Sequence, residues 1–111
     1  MKYRNSNSQI EVSTSKGWKI LKPRQTKIAE IHDCGDYCII REDYLGFVGS
    51  NVYAIDDQLN LVWEAELPHP SDVFANMLIS VDSGFETSTW NGIKCHIETK
   101  SGKTTQIGVT K

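Results

Sequence analysis

Residues 43–69 and 85–111 of this chain follow one template at an offset of 42 positions. The first copy reads Ser50-Asn51-Val52-Tyr53-Ala54-Ile55-Asp56, a short polar turn, then Leu61-Val62-Trp63-Glu64-Ala65. The second reads Gly92-Ile93-Lys94-Cys95-His96-Ile97-Glu98, a Ser101-Gly102-Lys103 turn, then Thr104-Thr105-Gln106-Ile107. Ile55 meets Ile97, Asp56 meets Glu98, and the polar turns coincide without a gap. Short strands recurring at roughly 40–45 residues have the spacing of blade-like antiparallel sheets, units that bury their apolar faces by stacking on one another.

Within the copies the apolar period is two. Leu61, Trp63, Ala65 and Leu67 alternate with Glu64 and Glu66, which reads as a strand with one dry face and one acidic face. Ile93, Cys95 and Ile97 alternate in the same way with Lys94, His96 and Glu98. Asn91-Gly92 and Ser101-Gly102 separate strand-like runs and read as hairpin turns. Residues 76–82 and 85–90 complete that sheet. Tyr37-Cys38-Ile39-Ile40 is apolar on both faces, as a central, covered strand would be. Residues 28–32 read as its partner, with a helical turn as the alternative because Ile28 and Ile31 are three apart. Residues 9–13 and 18–21 flank Lys16-Gly17 as an N-terminal hairpin, ended by Pro23. Ser71 and Asp72 after Pro70 are the one good helix start, since Ser can cap and Asp suits the positive end of a short turn. The expected fold is all-β: a single domain, 1–111, with the N-terminal hairpin at 9–22 and blade-like antiparallel sheets at 27–68 and 74–111. At most one short helical turn is expected, near 71–76.

Ala54-Ile55-Asp56 followed by Trp63 resembles the blades of the quinoprotein-type β-propellers, in which a strand ending in an apolar residue and Asp precedes a turn and a strand carrying Trp. The second copy departs from that pattern, with Thr105 at the Trp position. A closed propeller has at least four blades. The resemblance therefore implies a partial propeller, a sandwich, or an oligomer that completes the ring. It implies no quinone, because that ligand sits at the centre of a closed ring, and no cofactor is expected.

Charge is segregated along the chain. Residues 1–27 hold seven basic residues and one acid, a balance of +6; residues 28–98 hold two basic residues and thirteen acids, −11; residues 99–111 add three lysines. Carboxylates are rarely buried unpaired, so an acidic face is expected. It either pairs with the basic ends and aids solubility or docks a basic partner, since opposite fields speed encounter and select partners. An acidic face repels phosphates, so nucleic acid is not an expected partner. There is no secretory apolar run and no stretch long enough to span a bilayer, which points to a cytoplasmic location and no membrane partner. Three cysteines without a signal segment argue against a disulfide framework.

The chemistry-bearing residues do not assemble a motif. His32, Cys34 and Cys38 lie close in sequence but lack a matching second pair, so no metal site is expected. No helix start lowers a thiol pKa beside a histidine, and Gly46-Phe47-Val48-Gly49 lacks the Lys and helix of a phosphate loop. An enzyme is not expected. The sequence points instead to a protein-binding module. In kind it resembles the small cytosolic immunity proteins of interbacterial toxin systems, which implies occlusion of a basic, nuclease-like toxin domain by carboxylates set where that domain takes phosphates. The expected partner surface comprises Glu42, Asp43, Asp56, Asp57, Glu64, Glu66 and Asp72, with Tyr44 and Trp90 as aromatic anchors. The alternative is a self-associating structural or small-ligand-binding β domain, a homo-oligomer formed through open sheet edges.

Overall fold

The fold is described from a computed structural model that defines residues 1–109; Thr110 and Lys111, the latter counted among the C-terminal charges, lie outside the described residues. Three antiparallel meanders follow one another in chain order. β1 (Tyr3–Ser6), β2 (Gln9–Thr14) and β3 (Gly17–Ile20) form the first sheet. β4 (Ile28–Asp33), β5 (Cys38–Glu42), β6 (Val52–Ile55) and β7 (Leu61–Glu64) form the second. β8 (Ile79–Val81), β9 (Gly84–Ser88), β10 (Ile93–Glu98) and β11 (Thr104–Val109) form the third. Among the described residues the fold is all-β, compatible with blade-like sheets, and no sheet closes into a barrel. None of the described residues forms a helix, and so none offers one long and apolar enough to cross a membrane.

The two four-stranded sheets stand where the repeat puts them, and residues 28–32 are strand rather than helical turn. Two features differ from the expectation. The N-terminal hairpin gains β1 and becomes a sheet of its own, paired from Tyr3 opposite Val12 to Ser6 opposite Gln9. The segment near 71–76 makes only a tight turn, closed by the Asp72 amide on the His69 carbonyl. Ser71 does not cap a helix there, because its hydroxyl is bonded to His69 Nδ1 at 2.8 Å.

The second sheet lies between the other two. On one face of it Cys38, Ile40, Tyr53 and Ile55 pack with Val12 and Leu21 of the first sheet and its exit. On the other, Ile39, Val52, Ala54 and Trp63 pack with Phe74, Leu78, Phe85, Cys95 and Ile97. This is why β5 is apolar at consecutive positions: its neighbours in sequence go to opposite cores. Burial of each such side chain contributes about 1.5–3 kcal/mol.

One alternation breaks. β7 carries a bulge, so Trp63 stands opposite Ala54 but Leu61 stands opposite Ile55. Trp63 thus faces the third sheet while Leu61 turns to the first, half exposed, instead of sharing the dry face.

The two seams between sheets are closed by different means. Between the second and third, the Trp63 ring lies flat on Gly102, whose φ is +73° and whose missing Cβ would stand 2.5 Å from the indole. Its Nε1 donates to the Thr99 carbonyl at 3.0 Å. The Asn51 side chain stitches the same seam, donating to the Phe74 carbonyl and accepting from the Phe74 amide. Glu30 also crosses it, accepting the Leu78 amide while paired with Arg41 and His32. Between the first and second sheets the turns touch through the Ser15 amide on the Asp57 carbonyl, and a single buried carboxylate, Glu42, holds the connecting segment.

Candidate protein-binding surface

The carboxylate of Glu42, at the end of β5, is fully buried. It accepts from three consecutive amides, Arg24 at 2.6 Å and Gln25 and Thr26 at 3.0 Å each, and from the Tyr53 hydroxyl at 2.6 Å. Burial pushes its pKa up, but the Tyr53 hydroxyl and the three amides together outweigh that and hold it below the ordinary carboxylate range. The same contact pushes the Tyr53 hydroxyl far up, burial acting first and Glu42 second.

The segment so fixed braces the loop that follows Glu42. Gln25 both donates to the Val48 carbonyl and accepts the Val48 amide, at 2.9 and 2.8 Å. Thr26 donates its hydroxyl to the Asp43 carbonyl, Lys27 pairs with the Asp43 carboxylate, and Asp43 Oδ1 accepts the Leu45 amide. The loop thus presents Tyr44 toward the third sheet.

The opposing wall is the turn between β9 and β10. Asp72 lies almost wholly buried beneath it, Oδ1 accepting the Val73 and Asn91 amides. Oδ2 is sealed from solvent without a well-formed hydrogen bond. Burial raises the Asp72 pKa, yet the Thr89 hydroxyl and the Val73 and Asn91 amides together bring it below its ordinary value. The Trp90 amide donates to the Val73 carbonyl, and Gly92 takes φ +85° to close the turn. Trp90 is thereby held out from the end of the fold, 62% exposed, its ring 5.4 Å from that of Tyr44 and inclined to it by 32°. Leu45 and Val48, 69% and 80% exposed, stand on the same loop as Tyr44.

The residues expected at one surface are thus divided. Asp43, Tyr44 and Trp90 meet at one end of β6. Glu42 and Asp72 belong to that end but are interior, a correction to the exposure expected of them: their carboxylates are taken up by backbone amides and hydroxyls. Asp56 and Asp57 lie at the opposite end of β6, where with Asp36 and Ser13 to Ser15 they line a cleft of about 540 Å³. Asp56 Oδ1 caps its own turn through the Gln58 and Asn60 amides. Glu64 and Glu66 lie along the edge of the second sheet; Glu64 pairs with Arg24 at 3.0 Å, and Glu66 accepts the Thr104 amide at 3.1 Å.

Sequence reasoning passed over Gln25, Thr26, Leu45 and Val48. The only signal for them was the apolar pair Leu45 and Val48 in a glycine-rich loop, where exposed apolar residues are out of place. His32, Cys34 and Cys38 do not converge: His32 packs on Phe85 at 4.8 Å and Cys34 on the core facing the third sheet, while Cys38 belongs to the core facing the first. Burial pushes the Cys38 and Cys95 thiols up to about 11, the opposite of what activates a thiolate nucleophile. No protein-family model matches this chain, and no curated protein or solved structure matches it either.

Proposed function

We propose that this chain is a protein-binding module that takes its partner at the end carrying Tyr44 and Trp90. The observation behind the reading is an exposed indole on a rigid mount. Trp90 is fixed through its backbone and through Tyr44, so little side-chain freedom is lost when a partner covers it. Trp and Tyr are the side chains that most often dominate binding energy, and Leu45 and Val48 add apolar area beside them.

A basic protein suits this module. Residues 28–64, which include the whole second sheet, hold eight acids against one arginine, and the basic first sheet offsets only part of that field. Occlusion of a basic, nuclease-like toxin domain, in the manner of an immunity protein, is the form of the reading we favour. In it the aromatic end supplies affinity, and the carboxylates of Asp43, Asp57, Glu64 and Glu66 supply attraction at a distance.

The test is capture from the native host at low salt, followed by affinity measurement on the captured protein with three variants. Trp90→Ala is expected to weaken binding at least about thirtyfold, the loss of a hot spot of some 2 kcal/mol, with an unchanged melting temperature. Charge reversal at Glu64 and Glu66 is expected to slow association and flatten its salt dependence. Full affinity in both Trp90→Ala and Tyr44→Ala would remove the aromatic end from the reading.

A second reading, self-association, has its own support. Met77, just before β8, and Ile79 on it are exposed, and β11 is an open edge whose last residue, Val109, is exposed. Light scattering across a hundredfold concentration range separates the two, since a strict monomer excludes the second.

A further inference from the structure

The seam between the first and second sheets lacks something its counterpart has. Val12 precedes Ala54 by the repeat distance, and both point across their seam into the next sheet. Opposite Ala54 stands Trp63, whose ring fills the margin against the Gly102 turn. Opposite Val12 stands Lys19. The turn below Lys19 carries Leu59 at φ +64°, close to the +73° of Gly102. Among the described residues no ring fills that margin, although Tyr53 lines it. What remains is a hollow of about 470 Å³, lined by Leu21, Tyr53, Ile55, Leu59 and Leu61, with Lys22 and Arg24 at its mouth. A second hollow of about 420 Å³ meets it at Leu59 and is bordered by Lys16, Lys19 and Asp57.

We propose that this margin binds a small planar aromatic anion, its ring taking the place that the Trp63 indole takes in the other seam and its acid group resting on Lys19 and Lys22. The volume is that of small-molecule sites, and the lining follows their rule: an apolar floor with few charged groups at the rim. The charge complementarity is specific. Arg24 is already engaged by Glu64, whereas Lys19 and Lys22 make no ion pair among the described residues. Asp57 borders the second hollow together with Lys19, whereas the first hollow, with Lys22, has no carboxylate in its lining. Two backbone features also aim apolar side chains here. The bulge in β7 turns Leu61 into the gap, and Leu59 holds a left-handed conformation that is strained for a bulky residue. The site is separate from the Tyr44 and Trp90 end, and neither reading depends on the other.

The experiment is a methyl-resolved NMR titration of the full chain with indole-3-acetate, with 3-methylindole as the uncharged control. Saturable shifts at the methyls of Ile55, Leu59 and Leu61 are expected. Lys22→Glu should weaken binding about threefold to tenfold, with the loss shrinking in high salt. Lys19→Trp, which supplies the ring from the chain itself, should weaken it at least about tenfold. Absence of saturable shifts at those methyls in the unaltered protein overturns the proposal without reference to any variant. Equal affinity for the uncharged control overturns the anionic ligand, and undiminished binding to a folded Lys19→Trp overturns the location.

Discussion

The two seams of this molecule do the same job with opposite chemistry. The seam between the second and third sheets is sealed by an aromatic ring on a glycine, with Asn51 pairing both backbone groups of Phe74 behind it. The seam between the first and second is held by a buried carboxylate that gathers three amides and a phenol, and its outer margin stays open. The first device depends on shape and on neutral hydrogen bonds, with the Glu30 carboxylate crossing the same seam beside it. The second depends on charge, and its geometry is transmitted through Gln25 and Thr26 to the loop that carries Tyr44.

The sharpest way to erase that contrast is to open the sealed seam. Trp63→Ala removes a buried indole and leaves a hollow like the one beside Lys19; a loss of about 3–5 kcal/mol is expected, read from the denaturant midpoint. Amides of β10 and β11 should lose exchange protection more than those of β2.

Glu42→Gln tests the polar seam. It leaves shape nearly intact but removes the charge that holds four donors, and about 1–3 kcal/mol should be lost near pH 7. The pH dependence carries the sign. Because the Glu42 pKa is lowered in the folded state, its contribution is fully present above the unfolded carboxylate pKa and is lost as pH falls through the folded value. The unaltered protein should therefore lose stability on acidification more steeply than Glu42→Gln. Asp72, also lowered, keeps some slope in both. Parallel acid limbs would deny Glu42 this role.

Gly102→Ala is expected to cost about as much as Glu42→Gln. The added methyl would stand 2.5 Å from the indole in a backbone conformation that disfavours it, for a loss of about 1–3 kcal/mol. The same substitution at Gly35, also at positive φ but with open space around it, should show the conformational part alone.

Much of this was legible in the sequence, for reasons that can be named. Alternation revealed β10, consecutive apolar residues revealed β5 as covered on both faces, and the 42-residue offset paired the β6–β7 hairpin with the β10–β11 hairpin. It also reaches back to β2 through Val12, but only the register of Lys19 makes that visible. Residues 3–6 escaped notice because β1 pairs through its backbone and buries almost nothing, so it needs no apolar pattern. The bulge that diverts Leu61 left no mark in the residue types. Glu42 and Asp72 read as surface because carboxylates usually are; apart from the Val73 amide beside Asp72, the amides they accept lie 16 to 19 residues away in sequence, which no local pattern reports. Tyr44 and Trp90 were legible singly, as aromatics beside acids and on a polar strand face, but their meeting across two sheets was not.

The meander topology has a kinetic corollary. Among the described residues each strand pairs only with its neighbours in the chain, and no ladder joins one sheet to another. Closing these short loops costs little entropy, so the chain reaches its β structure without the distant pairings that slow Greek-key folds of similar size. Folding should therefore be fast for an all-β protein. Its slow step should be the docking of preformed sheets across the two seams, so substitutions at Trp63 or Glu42 should act mainly on that step.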